Sequence, residues 1–402
     1  MRVLITDGNE RAALATARSL HAARHEVHVA AAAQPCLAGV SRGVRRCLVR
    51  ADPLLDPEGY AREVGRLVRE HGIDVLLPLT DASVEAVLEH RVHLPRELIL
   101  PFPDLRTYQE ASDKAHTYEL AQRAGLGVPE TRVIASAGAG AEQMPEGSFF
   151  PAVVKPHRSV VQVGAVRTRL AVTHVHDASA CRRVLAALPA AAFPVLLQRR
   201  VVGPGEGLFA LRWNGGPIAL FAHRRLREKP PAGGVSVYRE SIALAPALID
   251  PGLRLLDMLD WKGVAMIECK RELATGRYVL MELNGRFWGS LQLAVDAGVD
   301  FPALLVRCAA GEPVRERPDY RVGVRSRWFW GDVDHLYLRL RRSPKDLHLE
   351  EGSGSRFRAI LEFLRHRPGR DRCEVWRWSD PAPFVLETLQ WFGFVSAGAR
   401  SR

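Results

Sequence analysis

Two carboxylates stand where apolar residues are expected in the stretch GVAMIECKRELATGRYVLMELNGRFWGSLQLAVDAGVD, residues 263–300: Glu268 within the run Val264–Cys269, and Glu282 within Tyr278–Leu283. The polar turn between the runs contains Thr275-Gly276, a hairpin signal. A carboxylate in a half-buried strand is costly unless something cationic meets it. Glu282, Asn284 and Arg286 recur at alternate positions, so an extended chain leans all three to one face. Two carboxylates and an amide oxygen make a hard-oxygen set suited to Mg²⁺, which typically takes one or two carboxylates and completes its shell with water and phosphate oxygens. Arg286 beside that set points to anionic chemistry. The same spacing also fits a surface hairpin whose acids pair with Lys270 or Arg271.

Other chemistry-bearing residues are scattered along the chain. Lys114 follows Ser112-Asp113 at a helix start, and Lys155 ends the apolar run Pro151-Ala152-Val153-Val154, where it either serves a ligand or snorkels at a strand end. Asp81, in Leu77-Pro78-Leu79-Thr80-Asp81, faces a substrate or caps a helix. Arg225 ends a strand in Ala222-His223-Arg224-Arg225-Leu226 and offers a phosphate contact or a solvated basic edge. The segment 230–240 reads as a mobile loop across the site, with Ser236, Tyr238 or Arg239 available for a small carboxylate. Trp288-Gly289-Ser290 places amides and a hydroxyl at a helix start. His174 and His176 alternate in a strand beside a helix cap, a poor geometry for a metal.

The elements that must position these residues begin with alternating strands and helices. Arg2–Thr6, Glu26–Ala30, Asp74–Leu77 and Leu98–Leu100 read as strands, and Glu10–Ala23, Pro57–His71 and Ser83–His90 as helices. Such alternation argues for a parallel sheet covered by helices. The first turn, Asp7-Gly8-Asn9-Glu10, lacks the GxGxxG of a dinucleotide fold. A helix runs from Ser112 to Gly125, closed by glycine and Pro129, and an alanine- and glycine-rich connector spans Ala135–Gly147.

With 402 residues, 47% of them hydrophobic, the chain supports two or three cored domains. No apolar run reaches the roughly 18 residues of a membrane helix, and MRVLITDG reads as a strand rather than a signal peptide. Six cysteines without a CxxC pair fit a reduced, cytoplasmic setting. The net charge of +11 is spread along the chain and interleaved with acids, which argues against nucleic acid as a partner. The lysines are only Lys114, Lys155, Lys229, Lys262, Lys270 and Lys345, so arginine is the default cation and each lysine is the more informative.

The ordered set SDKAHTYELAQRAGLGVPET, PAVVKP, VLLQRRVVGPGEG, GVAMIEC and VLMELNGRFWGS resembles the ATP-grasp superfamily of carboxylate–amine and related ligases over about residues 1–311. MELNGRFWGS is its most specific member. The resemblance implies an α/β chain: a Rossmann-like parallel-sheet domain over residues 1–110, an α+β lid subdomain over 111–200, and an α+β subdomain with an antiparallel sheet over 201–311. Residues 312–402, with five of the eight tryptophans, form an extension packed on that core. ATP phosphates would meet Lys114 and Lys155, and the adenine edge would be read by a hinge containing Gln198, Arg199 and Val201. Glu206 would accept from the ribose. Glu268, Glu282 and Asn284 would hold Mg²⁺, or Mn²⁺ in its place. Arg286 would lie beside the γ-phosphate and the acyl phosphate, with Arg225 as a second contact.

Two departures stand out. Gln198 occupies a position that is often acidic, and the loop 156–164 has one glycine where relatives have several, leaving His157, Arg158 or Ser159 as substitute donors. The implied reaction activates a small carboxylate with ATP and joins it to an amine, in a protein with homodimerisation as its expected assembly. A non-catalytic nucleotide-binding protein and a basic nucleic-acid-associated protein are the alternatives.

Overall fold

The computed structural model describes residues 1–402 except 139–143, 146, 158–159, 164–165, 232, 315–318, 345, 348, 350–353, 366–369 and 396–402. The first region carries β1 (Arg2–Ile5), α1 (Arg11–Ala22), β2 (Glu26–Ala31), β3 (Val44–Val49), α2 (Pro57–His71), β4 (Val75–Leu77) and α3 (Asp81–Glu89). Its sheet has the order β3-β2-β1-β4 with every pairing parallel, and it is the parallel pairing that the alternation predicts. The strand β3 is unannounced in the sequence because VRRCLV lies largely toward solvent and shows no alternation. The expected strand at Leu98–Leu100 is reduced to a single bridge between Ile99 and Val75. Local chemistry sets the helix ends: Asp56 accepts from the amide of Gly59 ahead of Pro57, and Gly72 closes α2 at φ 59°.

Two further helices, α4 (Leu105–Ser112) and α5 (Lys114–Ala124), meet at Asp113, whose carboxylate caps α5 by accepting from the amides of Ala115 and His116. That cap fixes Lys114 in the first turn of α5. The small antiparallel sheet that follows uses β5 (Thr131–Ile134), β6 (Ala152–Pro156), β9 (Thr173–Val175) and β10 (Val195–Arg199) in the order β5-β10-β6-β9. The hairpin of β7 (Val160–Val163) and β8 (Val166–Arg169) and the helix α6 (Ala178–Ala187) complete this layer.

The large sheet is built from β11 (Gly205–Trp213), β12 (Gly216–Lys229), β13 (Val235–Ser241), β14 (Gly263–Arg271), β15 (Tyr278–Asn284), β16 (Arg325–Arg327) and β17 (Asp371–Cys373), in the order β15-β14-β11-β12-β13-β16-β17. Its helices are α7 (Pro246–Met258), α8 (Leu291–Ala297), α9 (Phe301–Ala309), α10 (Phe329–Arg341), α11 (Arg356–Leu364) and α12 (Ala382–Trp391). Strand alternation splits its apolar side chains between two cores. Leu208, Ala210, Ala265, Ile267 and Cys269 pack with α5 and α7, while Phe209, Leu211, Val264 and Met266 join α1, α8 and α9. Each fully buried Leu, Ile or Phe contributes about 1.5–3 kcal/mol. Gly252 lets α7 approach closely, since a Cβ there would stand 2.6 Å from Leu208 Cδ2.

Several expectations are corrected. The segment read as a mobile loop over 230–240 is mostly β13, an interior strand between β12 and β16. Arg225 lies within β12 rather than at its end. The extension after residue 311 is stitched to the start of the chain. Arg18 Nε donates to Asp380 Oδ2 at 2.8 Å and Nη2 donates to the Val375 carbonyl at 2.9 Å. Among the described residues, no helix is long and apolar enough to cross a membrane.

Candidate active site

A cleft of about 640 Å³ opens between the small sheet, the large sheet and the first turn of α1. Its floor is the β14–β15 pair. Glu268 stands opposite Glu282 and Met266 opposite Asn284, with a bulge at Glu268/Cys269 keeping both acids in the cleft. The spacing therefore predicted the shared face correctly, and neither acid lies on a surface hairpin.

Each acid already meets a cation. Lys114 Nζ is 3.1 Å from Glu282 Oε1, and Arg225 Nη2 is 2.5 Å from Glu268 Oε2. Burial pushes Glu282 up, but the charge and hydrogen bond of Lys114 prevail and hold its carboxyl below the usual value. For Glu268 burial prevails over Arg225, with the nearby charge of Glu282 adding to it, and the carboxyl is raised. Arg225 also reaches Glu228 Oε1 at 2.9 Å. Residues three apart on a regular strand face opposite ways. The bulges of β12 across Arg225–Glu228 turn both into the cleft.

Lys155, near the end of β6, projects into the same cleft. Burial, together with the like charge of Lys114 and against the pull of Glu282, brings its ammonium down to about 8. Arg286 is held by a feature the sequence did not reveal. Its Nε and Nη2 donate to Asp81 Oδ1 and Oδ2, both at 3.0 Å, and its Nη2 also lies 3.4 Å from Asn284 Oδ1. Burial would lower the guanidinium's pKa, but Asp81 reverses this and raises it. Thr80, not Asp81, caps α3, so the carboxylate of Asp81 serves Arg286 and accepts from the Tyr108 hydroxyl at 3.1 Å.

In total the cleft brings together Lys114, Lys155, Gln198, Arg199, Val201, Arg225, Glu268, Glu282, Asn284 and Arg286 from the predicted set. Against known proteins, no family model and no protein of curated function matches the sequence. Solved structures do. The L-amino acid ligase of Bacillus licheniformis superposes with a TM-score of 0.60 at 16% identity, over 81% of this chain and 78% of that one. The chain has an ATP-grasp fold. The N5-carboxyaminoimidazole synthetase of Staphylococcus aureus gives a TM-score of 0.59 at 11% identity over 79% of each chain. The biotin carboxylase domain of Hydrogenobacter thermophilus 2-oxoglutarate carboxylase, solved with MgADP, ADP and bicarbonate, gives 0.59 at 13% identity over 80% of this chain and 73% of that one.

One predicted residue of this ATP-grasp chain stands away from the cleft. Glu206 pairs with Cys269, whereas its neighbour Gly207 pairs with Glu268. Alternation therefore turns Glu206 to the opposite side of the sheet from Glu268, where it is buried and accepts from the Tyr278 hydroxyl at 3.0 Å. At the hinge, the Gln198 amide donates to Thr131 Oγ1 at 3.0 Å, the Val201 carbonyl accepts from Lys270 Nζ at 3.1 Å, and Arg199 Nη1 lies 3.6 Å from Glu130 Oε2. His157 Nδ1 is 3.0 Å from the Pro194 carbonyl, while Arg158, Ser159 and Gly164 lie outside the described residues. Two proposed recognition residues are engaged elsewhere. Tyr238 donates to Asp371 at 2.8 Å, and Arg239 is fully buried in an ion pair with Glu374. Ser236 does line the cleft, as do Trp288, Gly289 and Ser290, and so does Arg11, which sequence reasoning missed.

Proposed function

We propose that this protein is an ATP-dependent ligase that activates a small carboxylate as an acyl phosphate and joins it to an amine, releasing ADP and phosphate. The observation that carries this is the paired carboxylates of Glu268 and Glu282 on one cleft floor, faced by Lys114, Lys155, Arg225 and Arg286. Related folds include an L-amino acid ligase and a carboxylase domain solved with MgADP, which agrees with that chemistry.

The donor set fits Mg²⁺. Among the described residues no three His, Cys, Asp or Glu gather into a self-sufficient cage. Two carboxylates and the Asn284 amide oxygen are what an ion needs when phosphate and water supply the rest of its shell. Glu268, Glu282 and Asn284 would hold it, and it would polarise phosphoryl oxygens.

The residues of the chain do the remaining work. Lys114 and Lys155 draw the phosphate oxygens into line, a task that suits a compact ammonium. The substrate carboxylate attacks the γ-phosphorus, the bond to the β-bridging oxygen breaks, and ADP leaves. The amine then attacks the acyl carbon, the carbon–oxygen bond to phosphate breaks, and the nitrogen gives up a proton. Arg286, held in plane by Asp81, offers a fixed cation to the oxyanion that forms between those two events. Catalysis here is positioning and charge stabilisation.

Incubation with ATP, Mg²⁺ and pairs of amino acids and other small carboxylates and amines tests the proposal. ADP and phosphate should appear only when both partners are present. Tight nucleotide binding with no turnover on any pair would instead favour a non-catalytic nucleotide-binding role.

A further inference from the structure

One wall of the cleft is made by residues with no part in the phosphate chemistry. Arg11, at the start of α1, reaches across to the large sheet and lays its guanidinium carbon 3.9 Å from the ring centroid of Trp328. Its Nη1 donates to Glu374 Oε2 at 2.6 Å, its one hydrogen bond among the described residues. Glu374, almost wholly buried, is shared with Arg239, which is fully buried. Two guanidiniums thus divide one carboxylate and leave a positive charge uncompensated within the triad. A buried unbalanced charge is expensive unless an anion answers it.

Around Arg11 stand buried donors without acceptors, beside one acceptor without a donor, Glu374 Oε1. Its Nη2 would lie only 3.3 Å from a Cβ at Gly289, which places it against the Trp288–Ser290 turn. Trp288 is 2% exposed and its indole N–H has no hydrogen-bond partner, and Ser236 is 7% exposed with its hydroxyl likewise unpartnered. Both residues line the cleft. Ser290 Oγ is 2.9 Å from Nε2 of His223. Burial, with Arg225 and Arg239 nearby, depresses that imidazole well below its usual pKa, which disfavours a further positive charge there.

We infer that Arg11, Ser236 and the indole N–H of Trp288 form a carboxylate subsite that binds the free carboxylate of the amine substrate, which makes that substrate an α-amino acid. This rests on the ligase reading for the word substrate, although the subsite itself stands on the triad. The carboxylate that is activated must lie at the floor, by Glu268 and Arg286. A second anion-seeking wall therefore serves a second carboxylate. Glu374 and Trp328 act as positioning residues that hold the Arg11 fork flat and aimed.

Calorimetry on the full chain separates the two readings. The protein is titrated first with MgAMP-PNP, then, in its presence, with each of the twenty common L-amino acids and the corresponding carboxamides. At least one amino acid should bind, and its carboxamide should bind at least about tenfold more weakly, the range expected for a charged hydrogen bond. Arg11→Gln should erase that preference while leaving MgAMP-PNP affinity within about twofold. Arg11→Lys should restore part of it, since the charge returns without the fork. Trp288→Phe keeps an aromatic side chain but removes the N–H with the pyrrole half of the indole. It should weaken the amino acid several-fold even if the Arg11 variants fold poorly. Nucleotide binding together with an unchanged preference in Arg11→Gln and Trp288→Phe would overturn the subsite and leave the ligase reading standing. Nucleotide binding with no amino acid binding would overturn it as well. Amino acid binding that depends on Arg11 in a protein that binds no nucleotide would uphold the subsite and remove the ligase reading.

Discussion

The floor and the wall of the cleft balance their charges differently. On the floor Glu282 has Lys114 and Asp81 has Arg286, while Arg225 answers both Glu268 and Glu228. On the wall Arg11 and Arg239 share Glu374. On the proposed reading, a floor already built of ion pairs would exchange partners with a metal–phosphate complex, acids turning to the metal and bases to the phosphates, with little net desolvation. The wall has one carboxylate for two guanidiniums and is therefore short of one anion.

The sharpest way to break this contrast is Glu282→Gln. Turnover should fall by more than about a hundredfold, because the metal loses a charged ligand, while circular dichroism and melting should show a folded protein. Unchanged turnover would remove the floor from the reaction. Lys155→Ala should weaken nucleotide binding by about tenfold or more, and Lys155→Arg should not fully rescue it. The same lysine predicts a pH dependence. Its ammonium is lost near 8 in the folded chain against an ordinary 10.5. Between those values the unfolded chain holds the proton that the folded chain has released, so this group makes the ligand-free protein more stable as pH rises through the window. If Lys155 meets the phosphates as proposed, nucleotide binding should weaken over the same interval, a slope that Lys155→Met should flatten.

Asp81→Asn should have a smaller effect, about tenfold on kcat with nucleotide affinity nearly intact, since it loosens the aim of Arg286 without removing it. A change confined to KM would mean that Asp81 contacts substrate instead. Glu206→Gln should matter least. Nucleotide affinity should stay within about twofold, with about 1 kcal/mol of stability lost, because the Gln oxygen can still accept from Tyr278 without the charge. A large loss of affinity would return Glu206 to the ribose and contradict its register.

Legibility in the sequence follows the same division. The floor could be read because alternation on two adjacent strands is a local property, and because Lys114 and Lys155 mark a helix cap and a strand end. The parallel pairing of the first sheet was likewise visible in short patterns. Register was not, and it removed Glu206: one position along β11 separates the cleft face from the core face. The segment around Arg239 looked like a loop because its glycines and prolines are at one end, whereas Val235–Ser241 is sealed between neighbouring strands. The long-range ion pairs of wall and floor were invisible for a simpler reason. Arg11 and Glu374 are 363 positions apart, and Asp81 and Arg286 are 205 apart, so only the assembled topology brings them together.

That separation bears on how the chain is made. Arg18 of α1 finds Asp380 and the Val375 carbonyl 362 and 357 positions later. At the usual 5–20 residues per second of synthesis, the first helix waits roughly 20–70 s for the strand and turn that complete it. Until then its basic face, with Arg11 and Arg18, stays without the acids it will hold. Shortening the gene from its 3′ end would thus injure the part of the protein translated first.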